Sequence, residues 1–71
     1  MRRFLIIVEH TETGFSAYSP DLEGCIATGT TREEVEENMQ SAIAFHLEGL
    51  RDAGYPVPEA RSYSRYVEIP A

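Results

Sequence analysis

Residues Val35, Met39, Ala42, Ile43, His46, Leu47 and Leu50 recur at steps of three and four. That spacing brings side chains onto one face of a helix turning once per ~3.6 residues, so the pattern predicts an amphipathic helix across residues 30–54. Its ends carry their own signals. Thr31 with Glu34 fits a capping box, in which a hydroxyl accepts from a free first-turn amide and a carboxylate reaches back. Glu33, Glu34, Glu36 and Glu37 place negative charge at the positive end of the helix dipole, and Arg51 sits near the negative end. Gly54 is suited to the left-handed conformation that closes a helix, and Pro56 cannot continue one.

Before the helix the period changes to two. Residues 3–10 are rich in β-branched side chains and apolar on both faces, with Phe4, Ile6 and Val8 on one side and Leu5 and Ile7 on the other. Residues 11–14 supply turn chemistry, and residues 15–19 alternate Phe15 and Ala17 against Ser16 and Tyr18, predicting a β-hairpin. Pro20, Asp21 and Gly24 then break the chain before a short third strand at residues 25–28. Beyond the helix, Pro56 and Pro58 make residues 55–60 an extended connector, and residues 63–69 read as a last strand ended by Pro70.

The order β-β-β-α-β predicts an α+β domain. A meander of three strands followed by a right-handed crossover places the last strand beside the first, giving a four-stranded mixed sheet of order 3-2-1-4 with one helix on one face. Counting faces leaves Leu5 and Ile7, or the opposite set, uncovered. An uncovered apolar patch on so small a domain predicts a dimer interface at these residues.

Composition sharpens this expectation. A chain of 71 residues is read as a single domain that buries only ~60% of the surface its unfolded form exposes. The single cysteine, Cys25, has no internal partner, and no CxxC or His/Cys pair stands at zinc-ligand spacing, so neither disulfide, metal nor other cofactor is expected. Self-association is the remaining source of stability. The apolar run at residues 4–8 is too short for a signal-peptide core or a membrane span, which predicts a cytoplasmic protein without a membrane partner. Twelve acidic residues against six basic ones give a formal charge of -6. That charge disfavours direct nucleic-acid binding and favours a basic protein partner.

The run Tyr18-Ser19-Pro20-Asp21-Leu22-Glu23-Gly24-Cys25-Ile26-Ala27-Thr28-Gly29, followed by Thr31-Arg32-Glu33-Glu34, resembles the HicB antitoxin family. There a tyrosine-containing strand precedes Pro-Asp-Leu-Pro-Gly-Cys, a short strand, a Gly-x-Thr cap and a glutamate-rich helix. His46-Leu47-Glu48-Gly49-Leu50 and Gly54-Tyr55-Pro56-Val57-Pro58-Glu59 look like the same family's helix end and connector. Glu23 stands where the family often has proline. The resemblance implies a degraded, partial ribonuclease-H-like domain without nuclease activity that neutralises a small basic RNA-cleaving toxin of the HicA type. Longer members add a C-terminal DNA-binding domain, for which a chain ending at Ala71 is expected to have no room.

Each candidate site has a plain reading beside a functional one. Pro20, Asp21, Gly24 and Cys25 form a turn that sets the angle between strands, with Asp21 as a possible partner contact. Cys25 is expected to be buried and inert, and His46 to be a core histidine rather than a general base. Tyr55, Arg61, Tyr63, Arg65 and Tyr66 form the one aromatic and basic cluster, a residue mixture favoured at interface hot spots. Glu9, Glu48 and Glu68 are the carboxylates that a two-metal nuclease would need. Three functions therefore stand at this point: a toxin-neutralising module, a metal-dependent nuclease, and a dimerisation domain without a toxin. A small basic protein encoded in the adjacent reading frame would favour the first.

Overall fold

The structure is a computed structural model describing residues 2–71. It contains β1 (Ile7–His10), β2 (Phe15–Ser19), β3 (Leu22–Gly29) and α1 (Arg32–Asp52). The three strands form an antiparallel meander of order β1-β2-β3. Thr11 N–H donates to Gly14 O at 2.9 Å to close the first hairpin.

The expected four-stranded mixed sheet of order 3-2-1-4 is not formed. Residues 55–71 have no regular secondary structure, and Tyr66, Val67 and Ile69 are exposed. Strand preference in such a segment reflects packing against neighbours rather than an intrinsic backbone bias, and here residues 63–69 are not paired with the open edge of β1. The first strand is also shorter than residues 3–10, beginning at Ile7. Its lead-in stays beside β2 because the buried Ser19 hydroxyl donates to Leu5 O at 2.8 Å.

The third strand is longer than expected and bulged. Tyr18 faces Ile26 but Ser19 faces Leu22, so Glu23, Gly24 and Cys25 have no partner on β2. Gly24 takes φ 76° there, a dihedral that an L side chain adopts only with strain. The bulge turns both Leu22 and Cys25 inward, where they join Ala17, Val35 and Met39 in the buried core. Phe4, Ile6, Val8, Phe15, Ala27, Ala42, Ile43 and Leu47 pack around it. The helix stripe is thus the face laid on β3 and β2.

Both helix ends follow their sequence signals. Thr31 Oγ1 accepts from Glu34 N–H at 3.1 Å, while Glu34 Oε1 accepts from Thr30 N–H at 2.8 Å, one residue further out than the usual box. At the other end Gly54 has φ 80°, and Tyr55 N–H reaches Leu50 O at 2.9 Å as Gly54 N–H reaches Arg51 O at 3.1 Å. This pair of bonds is a Schellman closure. Replacing Thr31 by alanine is expected to lower stability by about 1 kcal/mol, the usual loss of an N-cap oxygen. Urea denaturation of both proteins checks this, and equal midpoints would mean the cap contributes nothing.

Candidate functional site

Two surfaces emerge from this arrangement. The first is the sheet face opposite the helix. Phe4, Ile6 and Val8 pack toward the core, so strand alternation turns Leu5 and Ile7 the other way. Register aligns Ile7 with Tyr18 and Tyr18 with Ile26, making one apolar row across all three strands. Glu9, Ser16 and Thr28 form a polar row beside it. Ile26 is 69% exposed and Tyr18 is exposed as well, while Leu5 and Ile7 are half-buried. Tyr18 and Ile26 were not candidate site residues from sequence, although the alternation through residues 15–19 already placed Tyr18 away from Ala17.

The second surface lies at the β2–β3 turn. Asp21 was expected to bond amides just ahead of it in a tight turn. Its carboxylate instead accepts from residues forty positions on: Arg61 N–H at 3.0 Å and Ser62 N–H at 2.9 Å on Oδ2, and Ser62 Oγ at 2.9 Å on Oδ1. This clasp returns the connector to the sheet and sets residues 60–64 beside residues 3–6 across a cleft of about 540 Å³. Asp21, Arg61 and Tyr63 are therefore brought together. Tyr55 stands exposed beyond the helix end, and Arg65 and Tyr66 project on the tail. Arg61 also pairs with Glu59 at 3.5 Å, but both side chains are open to solvent and the pair contributes little.

The clasp predicts a pH dependence. The Ser62 amide, helped by the Ser62 hydroxyl and by the Arg61 amide and charge, holds the Asp21 carboxyl below its ordinary value of 3.8 against a smaller desolvation effect. A lowered folded-state pKa stabilises the fold fully above the unfolded value and loses that contribution as pH falls through the folded one. Protection of the Arg61 and Ser62 amides from hydrogen exchange is thus expected at neutral pH, fading below pH 3.8. In Asp21→Ala it should be absent throughout; persistent protection in that variant would show that something else holds the connector.

The remaining candidates stay apart. Cys25 is buried, and desolvation raises its thiol pKa, which leaves it a small apolar group. His46 is half-buried on the helix stripe, and the His10 ring stacks on Phe15 at 4.5 Å between centroids. Glu9 lies on β1, Glu48 on α1 and Glu68 on the tail. Among the described residues no group of three or more His, Cys, Asp or Glu side chains is placed to hold a metal ion. No helix among them is long and apolar enough to cross a membrane.

A bulged three-stranded meander under one helix, with an uncovered apolar face and a clasped connector, defines a small α+β domain. Residues 4–71 match the family described as "HicB_like antitoxin of bacterial toxin-antitoxin system", and the chain belongs to that family. Among relatives, Antitoxin HicB 2 of Photorhabdus laumondii is 32% identical over 97% of this chain and 50% of its own length. A 14.9 kDa protein from the rep-hol intergenic region of Haemophilus phage HP1 is 31% identical over 92% of this chain and 49% of its own. The chain therefore spans about half the length of these relatives. In a solved HicA3 and HicB3 toxin-antitoxin complex, one chain superposes with a TM-score of 0.69 at 36% identity, covering 78% of this chain and 64% of that one. A crystal structure of antitoxin HicB3 superposes at 0.68, covering 79% of this chain and 41% of that one.

Proposed function

We propose that this domain is an antitoxin module of the cytoplasm that neutralises a small basic RNA-cleaving toxin of the HicA type by binding and covering it. The observation that carries this reading is the match of residues 4–71 to the HicB-like family. The 36% identity to a protein solved in a HicA3 and HicB3 complex supports it. The formal charge of -6 suits a basic partner, since complementary fields raise encounter rates and suppress wrong partners. Tyr55, Arg61, Tyr63, Arg65 and Tyr66 offer that partner exposed aromatic and planar cationic groups at the connector end. The row formed by Ile7, Tyr18 and Ile26, with Leu5 beside it, serves self-association through the sheet face.

The neutraliser acts by occlusion and not by chemistry. A metal-dependent nuclease would need Glu9, Glu48 and Glu68 to converge, and among the described residues no three such side chains gather to hold a metal ion. An RNA-cleavage assay separates the two readings. With a HicA-type toxin, one equivalent of this protein should suppress cleavage; alone, in magnesium or manganese, it should leave RNA intact. Cleavage that survives repurification and disappears in Glu9→Gln would overturn the reading.

A further inference from the structure

The segment beyond the Asp21 clasp is an extended, apolar stretch that its own chain leaves uncovered. We propose that residues 63–69 are an exchange arm, which adds as a strand to the free edge of β1 in a second copy of the chain while that copy's arm does the same in return.

The donor side is set by sequence and exposure. No proline lies between Pro58 and Pro70, and the clasp uses only the Arg61 and Ser62 amides, so every residue across 63–69 carries an amide that can serve as a ladder donor. Val67 is 67% exposed, Ile69 72% and Tyr66 100%, so β-branched and aromatic surface faces water along an extended backbone. Alternation puts Val67 and Ile69 on one side and Tyr66 and Glu68 on the other.

The acceptor side is set by the sheet. Among the described residues β1 pairs with β2 alone, which leaves its other edge with unpaired amides and carbonyls. The helix packs on β2 and β3, so Phe4 and Ile6 at the start of the sheet are only half covered. Between them and α1 runs a groove of about 260 Å³, floored by Phe4, Ile6 and Ile43 and rimmed by Arg2, Glu36 and Gln40. An added strand at this edge lays one of its faces over that groove, where Val67 and Ile69 suit the apolar floor. Arg65, on the same side of the arm as Val67 and Ile69, meets a rim that carries Glu36. Lengths agree too, since seven arm residues extend about 23 Å, the reach of residues 4–10.

A second copy is the occupant the geometry favours. The clasp fixes Ser62 against Asp21, Tyr63 and Ser64 still line the cleft with residues 3–6, and residues 65–69 beyond them are exposed. The Cα radius of gyration is 13.9 Å, where a compact chain of this length has about 11 Å. Each copy offers one arm and one open β1 edge, so reciprocal exchange satisfies both and closes as a dimer with no arm left for a third. This contact is distinct from the sheet face bearing Ile7 and does not depend on toxin binding.

Hydrogen exchange of the full chain, read at several protein concentrations beside light scattering, tests the exchange. Alternate amides within residues 64–69 should be protected where the protein is dimeric and should lose protection on dilution to monomer. Neighbouring amides point opposite ways along a strand, so either Tyr66→Pro or Val67→Pro removes a ladder donor. That variant should raise the dimer dissociation constant by at least about 10-fold with circular dichroism unchanged. Four results overturn the proposal: a monomer at every concentration, free exchange of the arm in a dimer, protection that persists in the monomer, or protection that appears only when a HicA-type toxin is added.

Discussion

Replacing Gly29 by alanine is expected to cost at least about 3 kcal/mol, the upper end of what overpacking costs in a closed structure. A Cβ at this position would lie 2.6 Å from the Val35 amide nitrogen and 2.8 Å from the Val35 Cα. Both are backbone atoms of the first helical turns and cannot rotate aside. Val35 is itself fully buried, so relief requires the helix to lift from β3 and open the core. A domain of this size has only about 4 to 11 kcal/mol in total, so a loss of about 3 kcal/mol removes roughly a quarter to three quarters of it. Urea denaturation of Gly29→Ala should show a large fall in midpoint or no folded baseline. A loss under about 1 kcal/mol would mean that the strand and helix join more loosely than these distances imply.

Ile7→Asp is expected to raise the dissociation constant for self-association through the sheet face by at least about 100-fold, the effect of burying an unpaired carboxylate in an apolar contact. Ile7 is one end of the row and lies directly beside Tyr18 at its centre, so a charge there enters the apolar contact. The position faces away from the core, and the monomer should keep its fold by circular dichroism. Light scattering at several concentrations reads the result. An oligomer unchanged by Ile7→Asp would remove this face from the interface.

The helix was legible because its determinants are local. Thr31, Glu34, Gly54 and the stripe from Val35 to Leu50 act within a few residues of one another, and the structure uses them nearly as written. The first hairpin was legible for the same reason. The Asp21 clasp was not, because its partners Arg61 and Ser62 lie 40 and 41 residues away and no local pattern couples an aspartate to a distant connector. The bulge at residues 23–25 reads from sequence as a turn, since a glycine after Pro-Asp marks either feature. The missing fourth strand has the plainest cause: residues 63–69 carry strand composition, but composition does not supply a neighbour. Of the candidate site, counting faces told that one set on the first strand turns outward but not which. Packing of Phe4, Ile6 and Val8 on the core selects Leu5 and Ile7, whereas Tyr18 and Ile26 joined them only through register.

The central claim is direct binding of a small basic toxin, and calorimetric titration tests it most directly. A HicA-type partner encoded beside this chain, titrated with the full protein, should bind at a fixed stoichiometry. Binding should weaken as salt rises from ~0.05 to ~0.5 M, because screening removes the attraction between a -6 chain and a basic one. Saturable heat with that salt dependence, matched by loss of RNA cleavage at the same molar ratio, is the predicted result. No binding at either salt concentration, with cleavage unaffected by excess domain, would contradict it.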